Sequence, residues 1–207
     1  MKRRTLDLLF SVGGLLVGLL LMVLGLVLQN QANFASTYVK DQLSQQRITF
    51  TTEEYLKGEQ DDAPCLVDNA GSPLDSGKKA ECYANEYIAY HLEEAATGAG
   101  YEGETYATLG APQRQLAADL KAAQESGADT ADLEAQVGAI NGLRDTMFKG
   151  ETLRGLLLTT YGFSIFGDRA ALAALVCFIT AGLMVLLALA GFVHYGRTPK
   201  DAVIGHQ

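Results

Sequence analysis

Histidine is scarce in this chain: 207 residues include three, His91, His194 and His206. A Gly-rich phosphate loop, a GxSxG nucleophile elbow and an HExxH zinc signature are all missing. The three cysteines, Cys65, Cys82 and Cys177, match no four-ligand zinc spacing. Basic residues are also short, 16 against 24 acidic, for a formal net charge of −8. So acidic a chain repels phosphate backbones and anionic headgroups, which excludes nucleic acid as a partner. No long stretch alternates apolar and polar residues, so an extended sheet has no support; only RITFT, 47–51, reads as a short extended piece. These absences predict no catalytic residue, no cofactor and no metal, and hence a protein that is not an enzyme.

What is present is segregated. The run LLFSVGGLLVGLLLMVLGLVL, 8–28, holds 21 residues without a charge, about the thickness of a bilayer core when helical. A second uncharged run, AALAALVCFITAGLMVLLALAGFVHY, covers 170–195. Both read as transmembrane helices. The first is expected to be a retained anchor, because its apolar core exceeds that of a signal peptide and QNQANFAS offers no small-x-small cleavage site. Lys2, Arg3 and Arg4 precede the first run, and Arg197 and Lys200 follow the second, which places both tails, 1–7 and 196–207, in the cytoplasm of a plasma-membrane protein. Neither tail is long enough to fold alone. The middle, with 22 acidic and 11 basic residues, is then extracytoplasmic. That topology puts His91 on the opposite side from His194 and His206, so one molecule cannot assemble a two-His, one-carboxylate iron site. It also places Cys65 and Cys82 in an oxidising compartment, where they are expected to form a disulfide. Cys177, inside the second run, reads as a small packing residue.

Within the outer domain, 29–149, the first helix is expected to continue through Phe34, Tyr38 and Leu43. Thr51 and Glu54 have the form of a capping box. GEQDDAPCLVDNAGSPLDSGKK reads as a loop. Ala84, Tyr87, Ile88, His91 and Ala95 mark one face of an amphipathic helix; Tyr83, Tyr87, Tyr90 and His91 are its pocket candidates, although ring packing is the plainer role. Leu116, Leu120 and Ala123, then Leu133, Val137, Ile140 and Met147, predict two helices joined by a short Gly-containing turn as an antiparallel hairpin.

The segment GETLRGLLLTTYGFSIFG, within 150–169, has only 13 uncharged residues between Arg154 and Asp168, too few for a third crossing. Its four glycines weaken a continuous helix. Its apolar side chains are expected to face the lipid surface or another subunit, and Leu156, Leu157, Leu158, Tyr161, Phe163 and Phe166 are the interface candidates, with Gly14 and Gly18 of the first span as a GxxxG pair.

MKRRTLDLLFSVGGLLVGLLL, ECYANEYIAYHL and KGETLRGLLLTTYGFSIFG together resemble a family of two-span membrane proteins from actinobacteria. The resemblance runs over nearly the whole chain. Some members carry the label "aromatic ring-opening dioxygenase", which the histidine count and topology here contradict. The resemblance therefore implies location and architecture, and no catalytic residue is carried over. The expected fold is all-α: two transmembrane helices flanking a mainly helical extracytoplasmic domain with an antiparallel hairpin. The expected function is structural or accessory, with the lipid bilayer, further copies of the chain, or subunits of a larger, possibly respiratory, membrane complex as partners. The alternative is a homo-oligomeric channel or ligand-binding protein with its pore or pocket between subunits.

Overall fold

The computed structural model describes residues 2–56, 58–60 and 63–202; His206 lies outside them. Among the described residues regular structure is helical, apart from one antiparallel bridge between Thr49 and Pro73. The elements are α1 (Arg3–Gln45), 3-10 turns at Glu53–Tyr55 and Gly58–Gln60, α2 (Pro64–Asn69), α3 (Gly77–Cys82), a π-turn (Tyr83–Ile88), α4 (Ala89–Gly98), α5 (Gly110–Ser126) and α6 (Ala131–Arg197). The chain divides into two compact units, Met1–Tyr38 with Ile165–Gln207, and Val39–Ser164. Parts of α1 and α6 belong to each.

In the first unit α1 and α6 are long and apolar enough to cross a membrane. Small residues bring them together. Gly14 faces Met184 and Ala188, Gly18 faces Ala181 and Val185, and Ser11 lies against Gly191. Further along, a Cβ on Gly25 would fall 2.6 Å from the Phe178 ring, and one on Gly167 2.8 Å from Ala35. Partner numbers fall as α1 numbers rise, so the two helices pair antiparallel. The Gly14 and Gly18 positions thus serve close approach within the chain itself. Only 17% of the most apolar window of each helix is buried, and Phe10, Leu20 and Leu187 point outward. At one end of the pair His194 Nδ1 lies 2.9 Å from Asp7 Oδ2, and the Arg4 guanidinium sits 4.4 Å from the Tyr195 ring centroid.

The second unit has its own core, in which Leu43, Phe50, Leu66, Leu74, Leu92, Leu109, Met147 and Leu157 are buried together. Cys65 and Cys82 are bonded, with their Cα atoms 6.0 Å apart. The RITFT segment is extended as expected: Phe50 N–H donates to Ser72 O at 2.9 Å and Leu74 N–H to Ile48 O at 2.9 Å. α5 ends on Gly127, φ 71°, with Ala128 N–H reaching back to Ala123 O, a glycine-capped stop. Gln113 Nε2 donates to Asn141 Oδ1 at 2.6 Å, linking α5 to α6.

Several expectations need correction. α1 does run to Gln45, but its buried row is Ala32, Ala35, Val39 and Leu43, and Phe34 and Tyr38 stack outside it. The capping box is out of register: Thr52, not Thr51, precedes the 3-10 turn, and its hydroxyl makes no cap to backbone. The expected loop contains α2, which starts on Pro64, where the missing N–H costs nothing. The face of the 84–95 helix changes midway. Ala84 and Ile88 are buried, but beyond them the centre of the face moves to Leu92 and Ala96, leaving His91 exposed and Ala95 partly buried at its edge, because Ala89 N–H bonds to Ala84 O, five residues back, and the π-turn absorbs one extra residue. Finally, the glycines at 150–167 do not interrupt α6, which is unbroken.

Candidate functional site

In the second unit a cavity of about 720 Å³ opens between α4, the turn at 103–105, α6 and the 3-10 turn carrying Gln60. α4 brings Glu93 and Glu94 to its wall, the π-turn brings Glu86, and α6 brings Met147, Glu151 and Arg154. The 103–105 turn adds Glu104. Five carboxylates therefore face one guanidinium. Neutral donors hold three of them: Gly103 N–H donates to Glu93 Oε1 at 3.1 Å, Tyr90 OH to Glu94 Oε1 at 3.1 Å, and Tyr106 N–H to Glu151 Oε1 at 2.7 Å. Arg154 is oriented by its Nε, which donates to Ala84 O at 3.0 Å. Gln60 also lines the cavity and is 2% exposed, and among the described residues its Nε2, itself buried, has no hydrogen-bond partner.

The wall formed by 103–106 is fastened to α6. Gly103 adopts φ 72°, a left-handed conformation that turns its N–H toward Glu93. Arg144 stacks 4.4 Å from the Tyr106 ring centroid and donates from Nε to Tyr106 O, and Phe148 packs 5.4 Å from the same ring. The cavity is thus built on a braced turn and two helices.

No family model, curated protein or solved structure matches this chain. The site is therefore argued from its own atoms.

Of the pocket candidates, Tyr90 reaches the cavity. Tyr83, Tyr87 and His91 instead form a ring ladder with Phe50: centroids are 5.2 Å apart from Phe50 to Tyr83, 4.7 Å from Tyr83 to Tyr87 and 4.5 Å from Tyr87 to His91. Burial and the Tyr87 neighbour push the Tyr83 phenol above its ordinary value. His91 Nδ1 lies 3.6 Å from Glu94 Oε2. Among the described residues no three His, Cys, Asp or Glu converge to hold a metal ion.

The interface candidates divide. Leu157 is 1% exposed and so is not free to meet a subunit, while Leu158 is partly buried against the same core. Tyr161 is engaged by Lys78, whose Nζ is 3.4 Å from its hydroxyl and 3.1 Å from Glu81 Oε2; both contacts raise the Lys78 ammonium above its ordinary value. Leu156 and Phe163 are exposed in the second unit and Phe166 in the first. The sequence offered His91 with Glu93 or Glu94 as a possible site but did not join those glutamates to Gln60, Glu86, Glu104, Glu151 and Arg154. Spread over 95 positions, they leave no local motif, and the acidic excess of the middle segment was the one available signal.

Proposed function

We propose that this is a non-enzymatic, two-span plasma-membrane protein with both termini cytoplasmic, whose acidic helical domain lies outside and assembles with further copies of itself or with subunits of a larger, possibly respiratory, membrane complex. α5 and the first turns of α6 form the antiparallel hairpin of that domain. The membrane reading is supported by the outward apolar side chains of α1 and α6, which water would leave uncovered, and by the basic flanks of both runs. Kinship with the actinobacterial two-span family belongs to the same proposal and rests on the three segments quoted above.

The observation that carries the assembly reading is on α6. Gly155 and Gly162 stand one heptad apart, nothing lies within 4 Å of where a Cβ would stand on either, and Leu156 beside them is 62% exposed. A groove of small residues flanked by an apolar side chain suits close helix packing near a membrane. Tagging the C-terminal tail, extracting the membrane mildly and measuring the native mass tests this. The expected particle exceeds the 22.1 kDa of one chain, and Leu156→Glu combined with Gly155→Leu reduces it. A wild-type particle of one chain, or a mass that these variants leave unchanged, refutes the reading. A second reading, ligand binding, is favoured by the cavity, which lies within one chain and not between subunits.

A further inference from the structure

We propose that the end of the α1–α6 pair at Arg4 and Tyr195 binds the phosphodiester headgroup of an anionic lipid, with Arg4 as its principal contact.

Charge is segregated in this chain. The acidic excess belongs to 29–169, whereas 1–7 and 196–207 hold five basic residues, Lys2, Arg3, Arg4, Arg197 and Lys200, against Asp7 and Asp201. The structure laces these two segments together. Arg3 N–H donates to Ala202 O at 3.0 Å, Thr198 Oγ1 donates to Asp7 Oδ2 at 3.5 Å, and His194 Nδ1 lies 2.9 Å from the same carboxylate oxygen. Asp7 is thereby engaged by His194 and Thr198, and among the described residues none of the five basic side chains forms an ion pair. Cations gathered without counter-charges raise the local potential and concentrate anions beside them.

Arg4 differs from the other four. Lys2, Arg3, Arg197 and Lys200 are exposed, while Arg4 is partly buried. Its guanidinium carbon sits 4.4 Å from the Tyr195 ring centroid, and its Nε is covered, so the side chain is held against the protein and does not sweep through solvent. A guanidinium on an aromatic face is oriented in advance, and its planar fork matches two oxygens of one phosphate. A lysine ammonium offers neither property.

Depth favours a headgroup over a free anion. The uncharged runs start at Leu8 and end at Tyr195. Arg4 precedes Leu8 by one turn, about 6 Å along the axis, which is within the headgroup layer of roughly 5–8 Å on each side of the hydrocarbon core. A tyrosine closing a span marks the same border. A lipid held there by its acyl chains meets the guanidinium without leaving the bilayer. A zwitterionic lipid brings an ammonium of its own, which the same five cations repel.

This inference rests on the two-span reading. The test is isothermal titration calorimetry on the full chain in mild non-ionic detergent at low salt, with dihexanoyl phosphatidylglycerol, dihexanoyl phosphatidylcholine and inorganic phosphate as probes. Phosphatidylglycerol should bind saturably and at least about tenfold more tightly than either of the others. Arg4→Ala should weaken it about tenfold, and Lys200→Ala, which removes the same charge from an exposed position, by less than about fivefold. Should Arg4→Ala not fold, Arg4→Lys carries the comparison: charge is kept, the fork is lost, and affinity should fall about threefold or more. Absence of heat from phosphatidylglycerol at millimolar concentration overturns the proposal. So does equal affinity for phosphatidylcholine or inorganic phosphate, a loss in Arg4→Ala no larger than in Lys200→Ala, or unchanged affinity in Arg4→Lys. A chain that alkaline carbonate strips from membranes without detergent refutes the two-span reading itself; a chain that stays in the membrane and shows no preference for phosphatidylglycerol refutes the headgroup site alone.

Discussion

Gly142 and Gly150 stand eight residues apart on α6 in opposite surroundings, and alanine should stabilise at the first and be neutral to destabilising at the second. At Gly142 a Cβ would meet nothing within 4 Å; at Gly150 it would fall 2.4 Å from Leu92 Cδ2 and 2.9 Å from both Cδ1 and Cγ. The helix-propensity gain of alanine over glycine, about 1 kcal/mol, is common to both sites and cancels between them. The overpacking at Gly150 does not: three atoms of a buried leucine must move, which destabilises by about 1–3 kcal/mol. Gly142→Ala should therefore raise stability by about 1 kcal/mol, and Gly150→Ala should fall below it by about 1–3 kcal/mol. On a unit of this size that is on the order of 4 °C in Tm per kcal/mol. Tyrosine near-UV circular dichroism reports on the right region, because the chain has no tryptophan and, of its nine tyrosines, only Tyr38 and Tyr195 lie outside Val39–Ser164. Leu92→Ala removes all three clashing atoms, so in that background Gly150→Ala should become stabilising. The reasoning is refuted if Gly150→Ala matches Gly142→Ala, or if its penalty survives the loss of the Leu92 side chain.

Three further outcomes can be measured. Replacing Cys65 and Cys82 by serine should destabilise the second unit by on the order of 2–5 kcal/mol, and mass spectrometry after alkylation of the unreduced, unfolded wild type should show one modified thiol, Cys177. The Tyr83 phenol holds its proton more tightly folded than unfolded, so its contribution to stability is whole below its ordinary value of 10.0 and is lost as pH rises through the raised one; ultraviolet titration should show one late phenol that Tyr83→Phe removes. In the first unit the Gly14 Cβ position lies 3.8 Å from Ala188 Cβ, close to the mean separation in a disulfide of about 3.8 Å. With Cys177 changed to serine, Gly14→Cys with Ala188→Cys should cross-link within one chain on oxidation, and a dimer band would show that the two apolar helices pair between chains instead.

The long-range plan of the chain was legible because it rests on periodicity and on runs of charge and apolarity. Two apolar helices, the 65–82 disulfide, the Gly127 turn, and the partly buried stripes Leu116, Leu120, Ala123 and Leu133, Val137, Ile140 all follow from patterns within a few turns. What escaped depended on a single residue of phase or on distant partners. Nothing local separates the three leucines 156–158, yet one faces out and the other two pack inward. Glycine propensity suggested breaks at 150–167, but Gly150 on Leu92 and Gly167 on Ala35 each secure a close contact whose packing outweighs the propensity loss. Asp7 and His194, 187 positions apart, meet only because two helices fold back on each other. The cavity was least visible of all, since its residues come from five separate segments: the 3-10 turn at Gly58–Gln60, the π-turn, α4, the turn at 103–105 and α6.

The extra residue in the π-turn fixes an angle. Upstream of it, α3 is tied through Cys82 to the disulfide; downstream, α4 presents Glu93 and Glu94 to the cavity. A helix advances about 100° per residue, so were Tyr83–Ile88 to wind as regular α-helix with no residue removed, the far half of the rod would swing by more than a quarter of a circle. His91 would turn inward, Leu92 and Ala96 would leave the core, and the acidic row would leave the cavity with every side chain chemically unchanged. The wider winding at this one point acts as a dial, and what it sets is the direction in which α4 carries its charge.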